Sequence, residues 1–284
     1  MCVLFRGLIA SIPLAVACAD APQESTTRAD ELSANRLTGN RLTGNRVNAS
    51  RLATSRLAVS RLGSSQREVN PDTAAALLST DDGREVFAAV VACALPDDVT
   101  LIAHVGGSDL EYPGELGLAR DWLDRPLSHE GQGWVSACMF ARVSGSDVAL
   151  PISLRGPTPA LSVSHDERVG WSLQEGAFFG NLFSAPDRPL QAYACRGRDQ
   201  AAGAGGGLVE RVCTEPDPAN PGHTLCGFVY AGDCGHFAAD QACESFSHHG
   251  TFYQGCHTAP LRDHRGCDGD DAVFQQVITS YVMP

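Results

Sequence analysis

CTEPDPANPGHTLCGFVYAGDC, residues 213–234, decides how this chain must be held together. Its prolines break any helical period, and no alternation of apolar and polar residues runs through it. Such a segment buries too little apolar surface to offset its ordering entropy, so covalent cross-links must hold its shape. The same character extends from Cys195 to Cys267, which contains seven of the eleven cysteines, with eight glycines and prolines between residues 203 and 222. From Cys213 onward, successive cysteines are separated by 12, 7, 8, 12 and 10 residues, and no Cys-x-x-Cys occurs. In an exported chain that spacing predicts a disulfide framework rather than a zinc site.

Composition sets wider bounds. The 284 residues are 43% hydrophobic, enough for a core of one or two domains once the N-terminal segment is set aside. All 21 basic residues are arginine. A phosphate-loop lysine, a Schiff base and a Ser-x-x-Lys nucleophile are thereby excluded. Charge is divided along the chain. Residues 28–67 hold eight arginines against Asp30 and Glu31, whereas residues 68–284 hold 12 arginines against 29 acids, a net charge of −17. The folded part therefore repels nucleic acid, and no nucleic-acid partner is expected.

Residues 1–17 read as a signal peptide: Arg6 forms the charged region, and Gly7 to Val16 an apolar stretch too short to span a bilayer as a helix. Ala15-Val16-Ala17 precedes Cys18 and resembles the lipobox of bacterial lipoproteins. That resemblance implies lipid attachment at Cys18, a membrane partner through that anchor, and a linker over residues 18–34. The family usually carries Leu where Ala15 stands, and Ala15-x-Ala17 and Ala19-x-Ala21 also fit ordinary signal-peptidase cleavage.

Residues 35–64 repeat with period five: NRLTG, NRLTG, NRVNA, SRLAT, SRLAV, SRLGS. Five matches neither 3.6 nor 2, so the run is expected to be neither amphipathic helix nor strand. It resembles the pentapeptide-repeat solenoid, although Arg replaces the Asn or Asp which that family places before the central Leu. The expectation is a basic, extended spacer, the other reading being an incomplete coil packed on the domain.

Residues 69–194 are expected to form an α+β domain. Asn70-Pro71-Asp72 starts a short helix to Leu78, and Asp82-x-x-Glu85 starts a second, with Val86, Val90 and Cys93 on one face before Pro96. Val99–Val105 reads as a strand, His129–Val143 as a helix and Val148–Leu154 as a strand. Ser164-x-x-Glu167 and Ser172-x-x-Glu175 predict two further helices, the second carrying Phe178, Phe179, Leu182 and Phe183. Gln191–Cys195 and Val273–Val282 are the last strand candidates. Short helices with a small mixed or antiparallel sheet, lacking a βαβ rhythm, define the fold class as α+β. A disulfide-rich, loop-rich segment, residues 195–284, is packed on it.

Cysteine arithmetic sharpens the picture. With Cys2 removed and Cys18 lipidated, nine remain: Cys93, Cys138, Cys195, Cys213, Cys226, Cys234, Cys243, Cys256 and Cys267. Only Cys93 and Cys138 precede the Cys-rich segment, each on the apolar face of a predicted helix, and a bond between them closes 44 residues. The other seven then form three bridges and leave one over.

The pentads followed by CALP (Cys93 to Pro96), WVSAC (Trp134 to Cys138), SLRGP (Ser153 to Pro157), EGAFFGNLF (Glu175 to Phe183) and ACRGRD (Ala194 to Asp199) resemble a group of uncharacterised exported proteins of myxobacteria. The resemblance covers nearly the whole chain. It implies location and architecture, and carries over no activity, cofactor or functional residue.

Three classes of function remain. The first is a non-enzymatic, envelope- or surface-anchored lipoprotein that binds an unknown protein or envelope ligand. The second is a secreted hydrolase with a Cys or Ser nucleophile, drawing on Cys93 or Cys138 with His104, His129 or His165, the last beside Asp166. No Gly-x-Ser-x-Gly or His-Glu-x-x-His occurs to support it. The third is a metal-binding protein using His248, His249, His257 and His264 beside Cys256 and Cys267. Asp268, Asp270 and Asp271 read as a solvated turn rather than a calcium loop, and Gly203–Gly207 as a flexible loop rather than a dinucleotide site. No metal or cofactor is called for.

Overall fold

The computed structural model describes residues 36–37, 47, 51–63, 67–145, 151–185, 187–188, 190–201, 211, 213, 215–219, 221–235, 241–247, 251–258 and 273–284. All lie in one compact unit, residues 33–284. The fold is α+β, with mixed and antiparallel sheets and a disulfide-rich part.

Helices α1 (Arg51–Leu57), α2 (Pro71–Leu78), α3 (Asp81–Ala94) and α4 (His129–Ala141) are joined by a hairpin of β2 (Thr100–Val105) and β3 (Ser108–Pro113). After β4 (Ile152–Arg155) and α5 (His165–Gly170) come β5 (Leu173–Asn181), β6 (Gln191–Arg196), the one-turn α6 (Arg198–Ala201) and β7 (Val229–Asp233). Strands β8 (Cys243–Phe246), β9 (Tyr253–His257), β10 (Val273–Phe274) and β11 (Ile278–Val282) complete the described chain. With β1 (Arg36–Leu37), the main sheet runs β1-β4-β11-β5-β6-β7, antiparallel except for β6 with β7; β10-β9-β8 form a second, antiparallel sheet.

Alternation along the strands divides the core in two. Phe178, Ala192, Ala194, Ile278 and Val282 face the helices, in one cluster with Val86, Val90, Cys93, Cys138 and Phe140. Ala177, Phe179 and Cys195 face the other way, in a cluster with Cys234, Cys243, Tyr253, Cys256 and Val277. The main sheet is thus the middle of three layers, with α3 and α4 on one side and the three-stranded sheet on the other.

That layering corrects the reading of residues 172–183. Instead of a helix, the segment is the nine-residue β5, buried from Gln174 to Gly180. A strand covered on both faces need not alternate apolar and polar residues, and such a run cannot be told from a buried helix by periodicity. Its pairing with β11 steps from Ser280↔Gly176 to Tyr281↔Gln174, leaving Glu175 as the extra residue of a β-bulge. The bulge turns Gln174 toward the three-stranded sheet and Glu175 toward the helices.

The extended-spacer expectation for residues 35–64 also differs from what is found for their described part. Arg36–Leu37 pairs with β4, residues 51–57 are helical, and Leu57 and Leu62 are fully buried while Arg56 and Arg61 stay exposed. Ser60 O accepts from Trp122 Nε1 (3.0 Å), and Leu62 N donates to Trp122 O (2.8 Å). A helical turn ending after Leu57 resets the direction of the chain, so Leu57 and Leu62 reach one core although five residues fit no single helix face.

Local start signals place the helices. Thr80 caps α3 by accepting from Gly83 N, two residues before the Asp82 box expected there. Ser128 caps α4 and Ser164 caps α5 in the same way. Val273–Val282, expected as one strand, is two: β10 joins the small sheet, and β11 enters the main one between β4 and β5.

Candidate functional site

Four bridges join the eight described cysteines of the folded region. Cys93 on α3 is bonded to Cys138 on α4, with Cα atoms 6.0 Å apart; the others are Cys195–Cys234, Cys213–Cys226 and Cys243–Cys256. Such bridges persist in an oxidising, extracytoplasmic environment, which is where this chain belongs. No helix among the described residues is long and apolar enough to cross a membrane.

Two of these bridges abut. Cys195 Sγ lies 3.7 Å from Cys243 Sγ, and the sulfurs of Cys195, Cys234 and Cys243 fall within 4.8 Å of one another, all buried. Three thiolates at that spacing could ligate a soft metal, but here each sulfur is already committed to a bridge.

A cavity of about 230 Å³ opens beside this cluster, walled by Gly235, Gln241, Cys243, Glu244, Phe246 and Tyr253. It is smaller than the roughly 300–1,000 Å³ of pockets that enclose whole small-molecule ligands. On its wall the Glu244 carboxylate, half exposed, meets His257 Nε2 at 3.2 Å. Tyr253 Oη is within hydrogen-bond reach of Gln174 Oε1 (2.7 Å) and of the Gly235 carbonyl (3.3 Å). Gln174 in turn donates from Nε2 to Tyr281 Oη (2.9 Å) and accepts from Arg198 N (3.0 Å). Burial raises both Tyr253 and Tyr281 above the ordinary tyrosine range, so each phenol stays protonated. The Asp199 carboxylate accepts from Gln174 N (2.7 Å). Its partial burial, which opposes ionisation, is outweighed by the Arg198 side chain and this backbone N–H, and its pKa is lowered.

On the helix side of the sheet, Glu175 and Arg211 form an ion pair with no solvent exposure. Arg211 Nε donates to Glu175 Oε1 (2.7 Å) and Nη2 to Oε2, while Nη1 donates to the carbonyls of Ala141 (2.6 Å) and Val143 (3.0 Å). Ser280 Oγ donates to the same carboxylate. With every strong partner satisfied, the pair anchors residue 211 to the end of α4 and holds no group free for chemistry.

The sequence-derived candidates are scattered across this fold. Cys93 and Cys138 share a bond and are fully buried, so neither is a free thiol. His104 sits exposed on the hairpin with Nδ1 2.6 Å from Asp109 Oδ1; hydrogen bonding to Asp109, then that charge, raises its pKa above the usual histidine value, and Glu68 adds to the shift. His129 and His165 are exposed first residues of α4 and α5. Of the proposed metal ligands, His257 is held by Glu244 and Cys256 by Cys243, whereas His248, His249, His264 and Cys267 lie outside the described residues. So do Cys18, Gly203–Gly207, Asp268, Asp270 and Asp271. Gln174, Glu244, Tyr253 and Tyr281 had no signal in sequence, because partners such as Gln174 and Tyr281 are 107 residues apart. No family model, no curated protein and no solved structure matches this chain.

Proposed function

We propose that this chain is an envelope- or surface-anchored lipoprotein whose disulfide-held domain acts as a non-enzymatic binding or interaction module. The observation that carries this reading is the wall of the 230 Å³ cavity, two of whose polar groups are held by residues behind it: Glu244 by His257, and Tyr253 by Gln174. Groups already paired in a cross-linked frame recognise a partner's polar groups at little reorganisation cost. The lipobox-like Ala15-Val16-Ala17-Cys18 supplies the anchor in this reading.

Two measurements test it. Wild-type protein should partition into detergent with the envelope, and Cys18→Ala should release it to the soluble fraction; soluble wild type with an unmodified N-terminus removes the anchor. Hydrogen exchange at residues 241–246 and 253–257 should slow when detergent-solubilised envelope is added, and Glu244→Arg should abolish the protection. Exchange unchanged by envelope removes the cavity as the binding surface.

A further inference from the structure

Strand β8 forms one edge of the three-stranded sheet, and the 230 Å³ cavity lies along it. Cys243 opposes Cys256 and Ser245 opposes Gln254, while His257 N donates to Ala242 O (2.8 Å). In an antiparallel ladder bonded pairs alternate with unbonded ones, so that bond makes Ala242 and Glu244 the residues whose backbone groups face β9. The N–H and C=O groups of Cys243 and Ser245 therefore point the other way, out of the edge. At Cys243 the edge is used: its N–H donates to Cys234 O (2.8 Å). At the next residue the neighbouring chain turns away through Gly235, whose φ of +145° favours glycine. No described residue bonds to the N–H or C=O of Ser245. The cavity lies where the two chains part, lined by Gly235 as well as by Glu244, Ser245 and Phe246.

The charge left over at this place is negative. Tyr253 on the cavity wall feels Arg198, Asp199 and Asp233, but these are paired off: Arg198 with Asp199 (3.2 Å), and Asp233 with Arg196 (2.8 Å). Glu244 has a histidine instead of an arginine. His257 Nε2 meets its Oε1 at 3.2 Å, while its Oε2 has no partner among the described residues. Beside that carboxylate stand the rings of Phe246 and Tyr253, with centroids 4.7 Å apart and planes inclined at 45°. An open carboxylate oxygen next to aromatic rings favours a cation, through a charge-assisted hydrogen bond and the ring quadrupole. The volume suits a single side chain rather than a whole small-molecule ligand. The unbonded N–H and C=O of Ser245 are what an extended backbone pairs with when it joins a sheet edge.

We propose that the β8 edge and its cavity form a site for an extended segment of a partner protein, whose backbone pairs with Ser245 and whose basic side chain, arginine or lysine, enters the cavity to meet Glu244, Phe246 and Tyr253. This names the partner chemistry for the binding reading given above, and it rests on that reading. His257 and Gln174 hold Glu244 and Tyr253 in place before the segment arrives, so little ordering is left to be done on binding. The net charge of −17 over residues 68–284 draws a basic segment toward the domain.

The test follows the full-length oxidised chain by NMR as the peptide acetyl-Thr-Val-Arg-Val-Thr-amide is added. Amide signals of residues 241–246 should shift, that of Ser245 among them as its N–H gains an acceptor. The same peptide with citrulline in place of arginine keeps the shape and loses the charge, and it should bind about tenfold more weakly; so should the arginine peptide to Glu244→Gln. Methylating the two peptide nitrogens that flank the arginine should weaken binding to a similar degree, because the ladder can no longer form. No binding of the arginine peptide, equal affinity for the citrulline peptide, or shifts that spare residues 243–246 overturn the proposal, and binding indifferent to methylation overturns the edge pairing. The peptide comparisons use the unaltered chain, so they decide even if Glu244→Gln misfolds. Envelope protection of residues 241–246 without peptide binding overturns the basic occupant and leaves the binding reading standing, whereas peptide binding without envelope protection does the reverse.

Discussion

Arg211→Met puts the buried ion pair to the test. Methionine keeps length and apolar stem but removes the guanidinium, leaving the fully buried Glu175 carboxylate with Ser280 as its remaining strong donor. At close range and an effective dielectric near 20, the lost attraction is about 4 kcal/mol. The Ala141 and Val143 carbonyls lose their donor as well, about 1 kcal/mol each, while the desolvation cost of the arginine disappears. The net expectation is a loss of about 3–5 kcal/mol. For a domain of this size that lowers Tm by roughly 6–20 °C, read by circular dichroism with the disulfides intact. Glu175→Gln in the Arg211→Met background should recover about 1–2 kcal/mol, because the uncompensated charge is gone. If Arg211→Met moves Tm by less than about 3 °C, or if the two substitutions are additive within about 0.5 kcal/mol, the pair is not the strut described above.

Gly180 has φ of +138°, and a Cβ there would lie 2.0 Å from the Gln191 carbonyl oxygen of the paired strand, so Gly180→Ala should cost roughly 2–4 kcal/mol in urea melts with an unchanged m-value. Leu62→Ala removes a fully buried pentad side chain and should cost about 2–5 kcal/mol; a loss under about 1 kcal/mol would return the pentads to a spacer role. Cys93→Ala/Cys138→Ala opens a bridge of sequence separation 45 and should lower stability by about 4 kcal/mol on the chain-entropy model. His104, whose pKa is raised by its hydrogen bond to Asp109, should titrate by NMR above 6.5, and Asp109→Asn should lower that midpoint. The sign follows from the raised folded-state value: whatever stability this contact adds is complete below the unfolded histidine pKa and lost as pH rises through the folded one. A midpoint unmoved by Asp109→Asn would refute the assignment.

By itself the sequence determined what depends on a few neighbouring residues or on composition. Thr80, Ser128 and Ser164 stand within three residues of the amides they cap, so helices α3, α4 and α5 were legible, with α3 displaced by two residues because threonine outcompeted the Asp82 box. The need for cross-links, and with it an oxidising compartment, followed from cysteine number and from the proline- and glycine-rich run. The α+β class followed from the mixture of periods. Tertiary structure decided everything that rests on a second layer. Residues 173–181 became a strand because the helices cover one face and the small sheet the other, a circumstance that erases the alternation by which strands are recognised. Leu57 and Leu62 were buried where the chain folds back on Trp122, 62 residues from its partner Ser60. Glu175 met Ser280 across 105 residues, and Cys195 met Cys243 across 48, through the insertion of β11 beside β5 and the stacking of one sheet on the other. Local chemistry writes caps and turns into adjacent residues; which distant strands lie side by side is set by the shared burial of both faces, a property no single stretch of sequence contains.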